Sequence, residues 1–165
     1  MTGSVSGCTG DYFANELTDN CTTLCPSGYY ADTYTRFCRL NCTNGQFADP
    51  VDRTCKSGCT TSPHYFAYSG NHTCIQNCPS NLFSENVTWT CTQNCPNQTD
   101  GVILYAYKLT KQCVRSCPAP YYSYIVNQTC LASCPEGWFT TEDTRSCEQT
   151  CNGTYYADDS TNKCV

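Results

Sequence analysis

The chain has 165 residues, a formal net charge of −5 and a sequence pI near 4.8, and 18 of its residues are cysteine. That much cysteine signals a disulfide scaffold rather than one large hydrophobic core. The acidic balance excludes a nucleic-acid footprint. Disulfides at this density persist in oxidising surroundings, so the expected location is extracellular, secreted or at the cell surface.

Residues 1–7 (MTGSVSG) form an N-terminal tail with neither a basic n-region nor an apolar h-region. The longest apolar run, Val102 to Tyr107, falls far short of the roughly 20 residues that span a bilayer. No membrane span is expected in this segment. For an exported protein the missing signal predicts a processed or internal fragment of a longer precursor.

From Cys8 onward the cysteines keep one rhythm: twelve residues, a cysteine, three residues, a cysteine. This divides the chain into nine repeats at 8–24, 25–41, 42–58, 59–77, 78–94, 95–116, 117–133, 134–150 and 151–165. Such a period marks a quasi-one-dimensional array whose units touch mainly their neighbours. Pairing across the long gap joins Cys8 to Cys21, Cys25 to Cys38, Cys42 to Cys55, Cys59 to Cys74 and Cys78 to Cys91. It continues with Cys95 to Cys113, Cys117 to Cys130, Cys134 to Cys147 and Cys151 to Cys164, and uses all 18 cysteines. The insertions in the fourth and sixth repeats fall only in the long gaps, as hairpin tips allow. Interlaced pairing between neighbours is the main rival. Pairing across the short gap would strand Cys8 and Cys164 and link chains end to end.

Most repeats begin with turn residues, such as Pro26 and Gly28, then an aromatic pair, such as Tyr29 and Tyr30 or Trp138 and Phe139. The third has Phe47 alone, the fifth has Phe83 after Leu82, and the sixth is disturbed. A polar stretch such as Ala31-Asp32-Thr33 follows, and a second short segment returns to the closing cysteine. That order predicts a strand, a turn and a strand. One ring of each pair is expected on its own disulfide and the next repeat, the other toward solvent. The fold class expected is small, disulfide-rich and mostly β or irregular: an elongated, solenoid-like rod of nine single-disulfide hairpin modules. At two strands per module the rise is about 10 Å, and nine modules make roughly 90 Å.

The run CPSGYYADTYTRFCRLNC over Cys25–Cys42 resembles the furin-like cysteine-rich repeat of growth-factor receptors and proprotein convertases, which also builds long arrays in surface proteins of ciliates and other protists. The likeness extends from Cys8 to Val165. The Cys-x-x-Cys elements of full furin-like modules are absent, so each unit resembles that family's simplest single-disulfide module.

Seven Asn-x-Thr sequons occur, at Asn20, Asn41, Asn71, Asn86, Asn97, Asn127 and Asn152. They predict a heavily N-glycosylated chain, with covalent N-glycans and no other cofactor. At Asn20 and Asn41 the middle residue is a cysteine that must also pair. His64 and His72 read as surface histidines, since no triad partners accompany them. Cys-x-x-x-Cys spacing lacks the usual zinc pattern. Asp32, Asp49, Asp52, Asp158 and Asp159 read as solvated turn residues rather than a calcium loop. The run Val102, Ile103, Leu104, Tyr105 and Tyr107 is either a local plug over the Cys95–Cys113 loop or a contact with a partner.

These readings predict a structural glycoprotein, not an enzyme: a rod, surface coat or filament segment that self-associates or continues into neighbouring repeats. The alternative is a receptor or surface-antigen ectodomain with a protein ligand.

Overall fold

A computed structural model describes residues 7–43, 45–60 and 62–165. Residues 1–6 of the tail, Asn44 and Thr61 lie outside the described residues. Every described element is a short strand, two per module. Nine disulfides close the modules across the long gap, from Cys8–Cys21 to Cys151–Cys164, and no cysteine is free. Neither the interlaced nor the short-gap scheme occurs.

The described chain forms two compact units. One holds residues up to 78 together with 87–91, the other 79–86 together with 92–165, so the division falls inside the fifth module. In the first unit the hairpins pair Phe13–Asn15 with Asn20–Thr22, Tyr30–Asp32 with Phe37–Arg39, Phe47–Asp49 with Thr54–Lys56, and Phe66–Tyr68 with Thr73–Ile75. In the second they pair Tyr105–Tyr107 with Gln112–Val114, Tyr122–Tyr124 with Thr129–Leu131, Phe139–Thr141 with Ser146–Glu148, and Ala157–Asp158 with Lys163–Cys164.

Strands this short survive because covalent closure does what a core would otherwise do. In the chain-entropy view, closing a loop of about 15 residues contributes roughly 3 kcal/mol. The register places a small residue opposite each closing cysteine: Ala14 faces Cys21, Ala48 faces Cys55, Ser123 faces Cys130 and Thr140 faces Cys147. Ala31 faces Cys38 in the same register and packs on the Cys25–Cys38 disulfide. The first strand therefore runs through Ala31 and Asp32, which the sequence pattern assigns to the turn.

Within each unit, the first strand of one module also pairs in parallel with the second strand of the next. Each such pairing includes a backbone hydrogen bond from the first strand to the residue just before the second strand of the next module. In the first unit Ala14 N–H donates to Arg36 C=O at 2.8 Å, Ala31 to Arg53 at 2.8 Å, Ala48 to His72 at 2.8 Å and Ala67 to Trp89 at 2.7 Å. In the second, Ser84 donates to Lys111 at 2.8 Å, Ala106 to Gln128 at 2.7 Å, Ser123 to Arg145 at 2.8 Å and Thr140 to Asn162 at 2.9 Å. Every acceptor in this series has a positive φ, from 51° to 63°. Left-handed backbone in a non-glycine residue is uncommon and costs on the order of 1 kcal/mol. Here it ends the turn two residues before the closing cysteine and aims a carbonyl at the preceding module.

The side chains of these residues reinforce the step. Arg36 lies 5.7 Å from the Phe13 ring and donates to Gly10 C=O; Arg53 donates to Cys25 C=O and Arg145 to Tyr121 C=O. His72 packs on Phe47, Trp89 on Phe66, and the Lys111 ammonium on Phe83. One residue thus holds its neighbour by both backbone and side chain.

The aromatic pairs divide their work differently from expectation. Tyr29 packs on the cluster around its own Cys25 and Cys38, while Tyr30 packs on Cys42 and Cys55 of the next module. In the first module one ring is outside: Phe13 is buried and Tyr12 is exposed. No helix among the described residues is long and apolar enough to cross a membrane.

Candidate functional site: glycan acceptors, junction acids and hairpin tips

Each of the seven sequon asparagines is exposed. Asn20, Asn71, Asn86 and Asn127 lie in or beside hairpin turns, whereas Asn41, Asn97 and Asn152 flank the opening cysteine of a module. At Asn71 and Asn127 the left-handed residue is the middle of the sequon, and the bend it makes brings the ends together. Thr73 and Thr129 each donate their hydroxyl to the asparagine Oδ1 at 2.5 Å. The Oδ1 of Asn97 accepts from Gln128 Nε2 at 2.6 Å. At Asn20 the Nδ2 donates to Thr18 C=O, and the sequon hydroxyl of Thr22 bonds Leu24 C=O instead. The cysteines inside the Asn20 and Asn41 sequons are bonded to Cys8 and Cys55.

Asp32 and Asp49 correct the sequence reading most sharply. Both carboxylates are fully buried, 0% exposed, rather than solvated. Each sits at the last residue of its first strand, where its oxygens have two tasks. Asp32 Oδ1 accepts from the N–H groups of Tyr34 and Thr35 in its own turn, and Oδ2 accepts from the Thr43 hydroxyl of the next module at 3.0 Å. Asp49 repeats this with Val51 N–H and, in the next module, Thr60 N–H at 2.8 Å and Thr60 Oγ1 at 2.5 Å. Lys56 stands 3.5 Å from Asp49. Burial pushes the Asp32 carboxyl up, but the bonds from Thr35, Thr43 and Tyr34 outweigh it and hold the group below its ordinary value. Asp52 and Asp159 are exposed, as expected.

The run from Val102 to Tyr107 is largely inside. Leu104 is 2% exposed and clusters with Cys95, Ala106 and Cys113, with Val102 and Phe83 packed alongside. Tyr107 packs on Cys117 and Cys130, with Tyr105 and Tyr121 nearby. Ile103 is half-buried. His64 and His72 are exposed; His64 stacks on Trp89 at 4.7 Å.

Sequence reasoning missed a row of apolar tips. The second turn residue is Leu17, Tyr34, Val51, Val87, Leu109 or Val126 in six modules, and each is between 47% and 77% exposed. The signal was available as one large apolar residue at a fixed offset inside an otherwise polar turn.

Compared with known proteins, the chain matches no family model and no curated protein sequence. The geometry shows a tandem cysteine-rich array of disulfide-closed hairpins. The finer furin-like type rests on the repeat motif alone.

Proposed function

We propose that this chain is a structural, N-glycosylated extracellular protein: a furin-like segment of a surface coat, stalk or filament. Its nine disulfides fit an oxidising, secreted or cell-surface environment. The observation that carries the reading is the contrast between acceptors and junctions. All seven sequon asparagines face solvent, while Asp32 and Asp49 spend their oxygens on turn N–H groups and the following threonine. Those acids support a mechanical role and not an enzymatic one, because their lone pairs are directed into the junctions. Sugars at the turns and module entrances shield the backbone from proteases and from lateral aggregation. Filament growth would add a hairpin through the same amide-to-carbonyl step that joins modules within each unit.

Electron microscopy of the non-reduced, natively glycosylated protein tests this. Uniform fibres or extended segments with projecting sugar density are expected; compact, unglycosylated particles would refute it. The exposed tips at Leu17, Tyr34, Val51, Val87, Leu109 and Val126 favour a second reading, a receptor or surface-antigen ectodomain with a protein ligand. Isolated monomers that bind one partner through those tips would select it.

A further inference from the structure

In the second unit a groove of about 280 Å³ lies beside Asn127, lined by the apolar Phe83, Ile125 and Val126 together with Asn94, Lys108 and the sequon itself. We infer that this groove is a carbohydrate subsite that holds the first sugar of the N-glycan on Asn127. The inference rests on the glycosylation reading above and goes one step further, to where that sugar lies.

Three observations converge on it. First, the acceptor is held at the groove: Thr129 Oγ1 donates to Asn127 Oδ1 at 2.5 Å. Gln128, the middle residue, is tied by its side chain to Asn97 at 2.6 Å and by its carbonyl to Ala106 N–H at 2.7 Å. A sugar attached through Nδ2 therefore starts from a fixed position and loses little freedom by lying down. Second, the lining suits a pyranose. A sugar offers an apolar C–H face and a rim of hydroxyls, and the groove lining combines a ring and two aliphatic side chains with an amide and an ammonium. Third, Ile125 is 42% exposed and Val126 is 65% exposed. A sugar folded back from the adjacent residue would shield both.

The chain carries its own control. Asn71 occupies the same place in the fourth hairpin, three residues before the closing cysteine, with the same hydroxyl contact from Thr73 at 2.5 Å. The residues before it are Ser69 and Gly70 in place of Ile125 and Val126, so the aliphatic pair is absent and the Tyr68 ring lies over Gly70 instead.

The test uses the full chain secreted from glycosylating eukaryotic cells. Site-resolved mass spectrometry first establishes occupancy at Asn71 and Asn127; bare asparagine at both would sink the glycosylation reading itself. With both occupied, peptide N-glycosidase is applied to the native, non-reduced protein. Release from Asn127 is expected to be about tenfold slower than from Asn71, as for a sugar that favours the groove by an order of magnitude. The two rates should become equal after reduction and denaturation. The surface variant Ile125→Ser/Val126→Ser should release the Asn127 sugar at the Asn71 rate. Nuclear Overhauser contacts between the N-acetyl methyl and the Ile125 methyls provide a readout independent of any variant. Equal native release rates, together with no such contacts, would overturn the subsite while leaving glycosylation intact.

Discussion

The junctions after the second and third modules and those after the sixth and seventh occupy the same position in the repeat but use opposite chemistry. In the first pair, the last residue of the leading strand is Asp32 or Asp49, a buried carboxylate gripping a threonine just past the next opening cysteine. In the second pair it is Tyr107 or Tyr124, whose rings meet Tyr121 and Trp138 edge to face at 5.2 and 4.9 Å. The residue after the next cysteine changes in step: Thr43 and Thr60 accompany the acids, Pro118 and Pro135 the tyrosines. A carboxylate needs a hydroxyl or amide donor that proline cannot supply. An aromatic ring needs apolar neighbours instead. The backbone step is common to both, and the fifth module follows neither pairing, since its first strand ends on the buried Glu85 while Pro96 follows the next cysteine.

The largest effect expected from breaking this comparison is at Asp49. The change Asp49→Ala leaves the Val51 N–H, the Thr60 N–H and the Thr60 hydroxyl without their acceptor, and should cost about 3 kcal/mol in chemical denaturation of the non-reduced chain. Tyr107→Ala removes a ring that is 7% exposed and should cost roughly 2–3 kcal/mol. Acid titration sharpens the contrast through Asp32. Its carboxyl is held below its ordinary 3.8, so the folded value is the depressed one. The stability it contributes is present above the ordinary value and is lost as pH falls through the folded value. Denaturation midpoints followed downward from about pH 5 should decline in the wild type, and Asp32→Ala should remove Asp32's share of that decline.

A smaller effect comes from exchanging one chemistry for the other. Asp32→Tyr and Thr43→Pro should each destabilise, and the double variant should recover about 1 kcal/mol relative to their sum. Strict additivity would show that the two positions do not act as a unit. The smallest effect belongs to the shared backbone step. Arg36→Val places a β-branched residue at φ 63° and should cost on the order of 1–2 kcal/mol. Arg36→Gly removes the strain together with the cation–π contact to Phe13 and the hydrogen bond to Gly10, and terms of about 1 kcal/mol each should leave a small net destabilisation.

How far the sequence could be read follows from which features leave a compositional trace. The cysteine period and the confinement of insertions to the long gaps lead to the hairpin modules, because covalent closure imposes a fixed spacing. The left-handed residue leaves no such trace. It is Asp19, Arg36, Arg53, His72, Trp89, Lys111, Gln128, Arg145 or Asn162, a set without glycine. It recurs in all nine modules, Asp19 of the first included, so it belongs to the hairpin turn itself, and the junctions use a carbonyl that the turn already presents. Asp32 and Asp49 read as turn polar groups. They do bond their own turns, and burial is added only when the next module brings its threonine. The run Val102 to Tyr107 is legible as apolar, yet only the packing shows Leu104 against Cys95 and Cys113.

The most direct test of the account is peptide mapping, under non-reducing conditions and with site-resolved glycan analysis, of the chain secreted from eukaryotic cells. It should find nine disulfides, each within one module from Cys8–Cys21 to Cys151–Cys164, and sugars on the exposed asparagines. Links between modules, free thiols, or a fully disulfide-bonded chain without sugars would contradict it.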